Sequence, residues 1–182
     1  MPSALPKISV VTPSFNQAAY LERTLRSVLD QGYPNLEYIV IDGGSTDGSV
    51  EIIRKYEDRL AYWVSESDRG QADAINTGLR RASGDWVAWQ NSDDIYYPGV
   101  FADIAQTAAA HPDVDLIIGN MMIIDAHDQP LRDIHYVTPS YGALRAEGMV
   151  MVNQAAFWRR RVHAEIGWLE ESLQCSFDYE WF

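Results

Sequence analysis

The sequence predicts an α/β fold in which a mostly parallel central sheet is flanked by helices. Short, nearly continuous apolar segments rich in β-branched residues alternate with segments whose apolar residues recur at helical spacing. The connections between these segments are short, and strands that are apolar throughout are typical of parallel sheets covered on both faces. The alternation is clear to about residue 120 and weaker beyond it.

The first part of the chain predicts two strands, each followed by a helix. Residues 7–12 (KISVVT) form a β-branched run between two prolines, which predicts a buried strand. Residues 18–32 (AAYLERTLRSVLDQG) carry leucine and valine at helical spacing and end in a glycine. Residues 36–41 (LEYIVI) predict the second strand, and Asp47 is a candidate N-cap for the helix that follows.

The same alternation continues along the chain without an internal repeat or a low-complexity linker. The remaining predicted elements are a strand at 61–64, a helix at 70–82, a strand at 85–89, a helix at 99–110, a strand at 114–119 and a polar hairpin around 125–130. A chain of 182 residues is long enough for one sizeable core. We therefore predict a single domain over residues 1–182.

Composition and charge exclude several classes of function. A formal net charge of −12 argues against a nucleic-acid-binding surface, because such surfaces neutralise phosphates with Lys and Arg. A single cysteine, Cys175, excludes an internal disulfide and multi-cysteine metal sites. We see no signal peptide and no run near the roughly 18 apolar residues of a membrane span. We expect a cytoplasmic chain, or one at the cytoplasmic face of a membrane.

Polar motifs follow each of the first four predicted strands at its carboxyl end. They are residues 12–16 (TPSFN), 42–45 (DGGS), 65–69 (SESDR) and 91–94 (NSDD). In parallel sheets, ligands bind beyond the carboxyl ends of the strands. The sequence therefore predicts a ligand site at this edge of the sheet.

The glycine-rich motif DGGSTDGS does not match known phosphate-binding loops. It lacks the order G-x-G-x-x-G, and the chain has no G-x-x-x-x-G-K, so neither a dinucleotide-binding dehydrogenase nor a P-loop enzyme is supported. Asp42 can accept hydrogen bonds from a base or a ribose, or it can belong to a turn. Arg69 can pair with a phosphate or stack on a base, or it can lie on the surface.

Two acidic motifs have both a chemical and a structural interpretation. Asp93 and Asp94 repel each other unless a positive charge lies nearby, and Mg²⁺ or Mn²⁺ with a substrate phosphate would supply it. The alternative is a polar turn before a helix. In FDYEWF, Asp178 is a candidate general base, while the alternative places Asp178 and Glu180 in solvent on a terminal helix.

Taken together, these motifs resemble a known enzyme family. Residues 12–49 and 67–94 (SDRGQADAINTGLRRASGDWVAWQNSDD) look like the nucleotide-binding half of the inverting glycosyltransferases of family 2, which have the GT-A fold. Residues 153–181 (NQAAFWRRRVHAEIGWLEESLQCSFDYEW) resemble the acceptor-side half. The resemblance implies transfer of a sugar from a nucleotide-diphosphate donor to an acceptor hydroxyl of a glycan, lipid-linked or cell-surface polysaccharide precursor.

The resemblance also implies roles for individual residues of the donor site. The backbone at Thr12, Pro13 and Phe15 would hold the nucleoside, with Asp42 near the base. Arg69, or its neighbour Asp68, would lie at the base or the diphosphate.

A metal ligand and a catalytic base are implied in the same way. Asp93 would bind the metal, Mg²⁺ or Mn²⁺, and would also belong to the nucleotide-binding residues. Asp94 would support Asp93 as a metal ligand. Asp178 would be the catalytic base. The chain departs from the family at Asn91, which replaces the first acidic residue of the D-x-D motif. It also ends at Phe182, where we expect the family domain to continue.

Two alternative functions are consistent with the same residues. One is a non-catalytic nucleotide-sugar-binding domain on the same fold. The other is a nucleotidyltransferase, which is less favoured because TPSFNQ has no Lys or Arg for a triphosphate. We expect acceptor specificity to lie in residues 121–175, and the sequence does not indicate the sugar, the base or the oligomeric state.

Overall fold

The computed structural model of the chain describes residues 5–136, 142, 153–173 and 176–182, so Cys175 lies outside the described residues. The strands are β1 (Ile8–Ser14), β2 (Leu36–Asp42), β3 (Tyr62–Ser65), β4 (Trp86–Trp89), β5 (Leu116–Ile118), β6 (Met121–Ile124), β7 (Pro130–Ile134) and β8 (Ala156–Arg159). The α-helices are α1 (Ala18–Leu29), α2 (Ser49–Lys55), α3 (Gln71–Arg81), α4 (Val100–Ala110), α5 (His163–Ile166) and α6 (Phe177–Trp181). Short 3₁₀ turns cover Glu57–Arg59, Asn153–Ala155 and Arg160–Val162.

Six of these strands form one sheet in the order β3-β2-β1-β4-β8-β5. β1 pairs in parallel with β2 and β4, and β2 pairs in parallel with β3, as the uniformly apolar strands predicted. β8 runs antiparallel to both β4 and β5. The sequence did not predict β8, because a strand of four residues between two 3₁₀ turns has too little periodicity to identify.

Two apolar clusters cover the sheet. One contains Leu25 of α1, Ile53 of α2 and Phe101 of α4, all fully buried. The other contains residues of α3 and α6, among them Ile75 and Trp181. Burial of this apolar area is the main force that holds the helices against the sheet. Nowhere in the described part of the chain is a helix both long and apolar enough to span a membrane.

The predicted hairpin and the predicted helix cap are each modified by local hydrogen bonds. β6 and β7 form a separate antiparallel pair, as predicted, with a turn in which Asp125 accepts hydrogen bonds from two backbone N–H groups. The N-cap of α2 is Gly48 rather than Asp47. Asp47 instead accepts hydrogen bonds from the Ser49 N–H at 3.0 Å and the Ala18 N–H at 2.8 Å, so one carboxylate binds the starts of two helices.

Helix α3 packs very closely against β1 at Gly78. A Cβ at this position would lie 2.3 Å from Val11 Cγ1. Gly-to-Ala changes inside helices normally stabilise by about 1 kcal/mol, but overpacking a buried contact costs about 1–3 kcal/mol. We expect the clash to dominate, so that Gly78→Ala lowers the free energy of unfolding by about 1–2 kcal/mol, measured by urea denaturation.

Thr77→Ala is the matched control for this prediction. Thr77 is in the same helical turn and only partly buried, so its truncation should change the stability much less. A Gly78→Ala chain as stable as the original would show that α3 can move away from β1 without cost.

Candidate functional site

The loops after the first four strands meet at one edge of the sheet and enclose a cavity of about 580 Å³, which we call the first cavity. They meet because Ser14, Asp42 and Ser65 lie side by side at the ends of β1, β2 and β3. All four loops contribute wall residues, among them Pro13, Phe15, Gly43, Asp68, Asn91 and Asp93. The predicted convergence of the strand-end motifs is confirmed, and the volume lies within the range typical of small-molecule sites.

The loop after β1 presents an aromatic ring to the first cavity. Phe15 lines the cavity beside Pro13 and is 59% exposed. Ser14 also lines it, and its buried hydroxyl has no hydrogen-bond partner among the described residues. Thr12 is fully buried, and its hydroxyl lies 2.8 Å from the Tyr38 hydroxyl. Pro13 and Phe15 therefore reach the cavity, while the Thr12 side chain lies in the core.

Asp42 lies beneath the cavity wall rather than in it. Its side chain is fully buried. One carboxylate oxygen accepts hydrogen bonds from the Ser65 hydroxyl at 2.7 Å and the N–H groups of Gly44 and Ser45 at 3.2 and 2.9 Å. The other accepts one from the Ser45 hydroxyl at 2.6 Å. Asp42 thus holds the 43–45 loop in place, and all of these donors belong to the protein.

The loop after β3 places Asp68, and not Arg69, at the cavity. The Arg69 side chain is 72% exposed and pairs with Asp73 at 2.8 Å and Glu171 at 2.5 Å, outside the cavity wall. Asp68 lines the cavity and lies against Gly43, where a Cβ would be 2.6 Å from Asp68 Oδ2. The glycine at position 43 therefore makes room for this carboxylate.

The acidic turn after β4 is held by amide side chains. Gln71 Nε2 donates to Asn91 Oδ1 at 3.0 Å, and Asn91 Nδ2 donates to Asp94 Oδ2 at 3.1 Å. Asn91, which lacks the expected charge, thus connects α3 to the second carboxylate. Asp93 is exposed and has no hydrogen bond or ion pair with any described residue. One carboxylate is therefore fixed by the protein and the other is available to a ligand.

The two carboxylates differ in their electrostatic environment. Burial raises the pKa of Asp94, and the adjacent Asp93 charge raises it further, while hydrogen bonds from Asn91 and Gln154 partly offset these effects. Burial disfavours the charged form and so does a like charge nearby. The pair therefore carries an excess of negative charge that a cation would relieve.

The donor set fits a divalent metal held jointly by the protein and a substrate. Among the described residues, no group of three or more His, Cys, Asp or Glu side chains could hold a metal ion. At the wall of the first cavity the chain offers the oxygens of Asp93, while the adjacent Asp94 lies just outside that wall. Mg²⁺ is commonly bound by one or two carboxylates plus waters and substrate phosphates. The residues present fit Mg²⁺ or Mn²⁺ in that arrangement.

Asp178 lies on α6, which packs at the carboxyl end of β4. The rings of Trp181 and Phe182 lie 6.2 and 5.6 Å from the ring of Trp89, the last residue of β4. Asp178 is half-buried, and its Oδ1 accepts a hydrogen bond from the Tyr179 N–H at 2.8 Å. It is not part of the wall of the first cavity. The structure thus places its helix beside the turn that carries Asp93, without placing the carboxylate in the cavity.

Two polar residues near the acidic pair were missed from the sequence. Gln71 lines the first cavity at the start of α3, and its place directly after SDRG was a usable signal. Gln154 hydrogen-bonds Asp94 from the 3₁₀ turn before β8. No local pattern pointed to Gln154, because only strand pairing brings it to β4.

A mostly parallel α/β sheet with a cavity at its carboxyl edge is the architecture of the GT-A fold. The chain belongs to glycosyltransferase family 2, whose model ("Glycosyl transferase family 2") matches residues 9–167. An uncharacterised glycosyltransferase of Mycobacterium tuberculosis is 34% identical over 98% of this chain and 68% of its own length. Bacillus subtilis TuaG, named for teichuronic acid biosynthesis, is 45% identical over 49% of this chain and 36% of its own length.

Solved structures show the same fold. Staphylococcus aureus TarS superposes with a TM-score of 0.79 at 24% identity, over 96% of this chain and 32% of TarS. The mannosyltransferase PcManGT from Pyrobaculum calidifontis, solved with GDP-Man and Mn²⁺, has a TM-score of 0.72 at 25% identity, over 99% of this chain and 52% of its own. The chain thus spans about a third to two thirds of the length of these proteins.

Proposed function

We propose that the chain is the donor-binding and catalytic part of an inverting glycosyltransferase. It moves a sugar from a nucleotide-diphosphate donor to an acceptor hydroxyl. The observation that carries this proposal is the first cavity, where the four strand-end loops meet. The carboxylate of Asp93 lies at its wall and has no partner in the described part of the chain. The family to which the chain belongs, and the likeness of the chain to a mannosyltransferase solved with GDP-Man, support the same reaction class.

The nucleoside is held by the loops after β1 and β3. Phe15 offers an exposed ring on which a base can stack, and such stacking is worth about 1–3 kcal/mol. Of Asp68 and Arg69, Asp68 lines the cavity and Arg69 does not. The carboxylate of Asp68 therefore accepts hydrogen bonds from the base or the ribose. Asp42 is a positioning residue, since its hydrogen bonds hold the 43–45 loop.

The diphosphate lies beside the acidic pair. Asp93 would hold Mg²⁺ or Mn²⁺, and Asp94, fixed by Asn91, would support it. When bound, the metal supplies Lewis-acid stabilisation of the charge that develops on the leaving diphosphate. The Mn²⁺ in the mannosyltransferase complex supports a divalent metal as the cofactor. The chain's own contribution is to concentrate negative charge at this edge of the cavity.

Asp178 acts as the general base. Its carboxylate takes the proton of the acceptor hydroxyl, whose oxygen attacks the anomeric carbon from the face opposite the leaving group. The bond from that carbon to the diphosphate oxygen breaks, and the nucleoside diphosphate leaves with the electron pair. A single displacement inverts the configuration, so an α-linked donor yields a β-linked product.

The acceptor is a glycan, lipid-linked or cell-surface polysaccharide precursor. The name of TuaG, which refers to teichuronic acid biosynthesis, supports this class. With such an acceptor, the chain would act in the cytoplasm or at the cytoplasmic face of a membrane.

A non-catalytic nucleotide-sugar-binding domain is the second candidate function. It is favoured by one observation, the position of Asp178 outside the wall of the first cavity. Donor binding without transfer to any acceptor would support it.

Calorimetric titration with UDP, GDP, dTDP and CDP, each with and without Mn²⁺, tests the donor site. We expect one nucleotide to bind clearly better than the others, and its binding to be lost when Mn²⁺ is removed. That result would also identify the donor class. If none of the four binds in either condition, the first cavity is not a nucleotide site.

A further inference from the structure

A second cavity, of about 1,020 Å³, lies on the α4 side of the sheet, between α4, β5 and the β6–β7 hairpin. Its walls are largely apolar and include Ile104 of α4, Ile117 of β5 and Phe157 of β8. Asp93 lines both cavities. The second cavity therefore opens beside the carboxylate at which the donor diphosphate is proposed to lie.

Three buried polar atoms without partners belong to residues that line this cavity. Gln90 Oε1, Tyr96 Oη and Gln154 Oε1 have no hydrogen-bond partner among the described residues. Gln90 is 1% exposed and Tyr96 is 7% exposed, so bulk solvent does not supply the missing hydrogen bonds. Buried polar groups are normally satisfied, and unpaired ones need an explanation. A ligand with hydroxyl groups would provide the missing partners.

The charges of the cavity favour a neutral ligand. Five aspartates line it, namely Asp93, Asp94, Asp103, Asp125 and Asp128. The described lining contains one cation, Arg23, and its guanidinium is already paired with Asp128. Phosphate groups would be repelled here unless a further cation came with them. A neutral ligand with hydroxyl groups next to an apolar segment matches the unpartnered polar atoms and the apolar residues of the wall.

We propose that the second cavity binds the acceptor, and that the acceptor is a neutral sugar joined to an apolar group. The sugar hydroxyls pair with Gln90, Tyr96 and Gln154, and the apolar group lies along Ile104 and Ile117. The reacting end points to Asp93, where the two cavities meet. Asp178 lines neither cavity, but its helix packs beside the turn that carries Asp93. The inference rests on the proposed function, because it needs a donor site in the first cavity.

Octyl β-glycosides of glucose, galactose, mannose and N-acetylglucosamine test this proposal by calorimetric titration, kept below their micelle concentrations. We expect one glycoside to bind, and Tyr96→Phe and Gln90→Met each to weaken it about five- to tenfold, the usual effect of one lost hydrogen bond. Tyr62→Phe on β3, away from both cavities, should bind like the original chain. Octyl phosphate and the free sugar should bind more weakly.

Thermal unfolding separates a ligand-binding role of Tyr96 from a structural one. Because the Tyr96 hydroxyl has no hydrogen-bond partner among the described residues, Tyr96→Phe should leave Tm unchanged or raise it while weakening glycoside binding. The proposal is overturned if Tyr96→Phe and Gln90→Met both bind the glycoside as tightly as the original chain does, or if octyl phosphate binds more tightly than the glycoside. A different result would contradict the proposed function: in that case the glycoside binds, but none of the nucleotides does.

Discussion

Replacing Asp178 with asparagine is expected to lower the rate of sugar transfer by about 10²- to 10⁴-fold, the usual contribution of a general base. Asparagine keeps the size of the side chain and can still accept a hydrogen bond from the Tyr179 N–H, but it cannot take a proton from the acceptor. Donor binding should persist, because Asp178 lies outside the first cavity. A transfer assay and a nucleotide titration on the same preparation measure the two effects.

Glu180→Gln is the matched control, since it removes one carboxylate from the exposed side of the same helix. It should transfer at nearly the original rate. If Asp178→Asn also transfers at that rate, Asp178 is not the base, and a carboxylate in the cavity wall must be considered instead. The result matters because the structure brings α6 to the end of β4 without bringing Asp178 into the wall.

Asp93→Ala is expected to abolish metal-dependent nucleotide binding. Asp93 lies at the wall of the first cavity and makes no hydrogen bond or ion pair with any described residue, so its replacement removes no such interaction within that part of the chain. Its removal takes away the carboxylate most available to a cation, while Asp94 stays fixed by Asn91. Titration of the best-binding nucleotide with and without Mn²⁺ should show no difference in the variant.

The control for this change is Asp58→Ala. Asp58 is exposed and lies in the turn before β3, at the amino end of that strand and so away from the carboxyl ends where the cavity lies. This variant removes the same charge and should leave the effect of Mn²⁺ intact. If nucleotide binding by Asp93→Ala still depends on Mn²⁺, the metal is held by Asp94 or by residues outside this turn.

Most of the parallel sheet was predictable because its strands carry their signal locally. β1, β2, β3 and β4 are short apolar runs that end in polar motifs, and all four were found within a few residues of their bounds. β8 was not, since its place between β4 and β5 depends on pairing across more than 60 residues of chain. The helix cap at Gly48 depends likewise on Asp47 being shared with the start of α1.

The sequence by itself determined which loops form the site, because polar motifs after parallel strands must emerge at one edge of the sheet. Tertiary structure decided which way each side chain faces. Thr12 and Asp42 are turned inward by Tyr38 and Ser65, and Arg69 is drawn outward by Asp73 and Glu171. Each of these orientations is set by a hydrogen bond or an ion pair, and most join separate elements. A residue's type and spacing predict where it lies along the chain, but the partner that orients it becomes known only when the chain is folded.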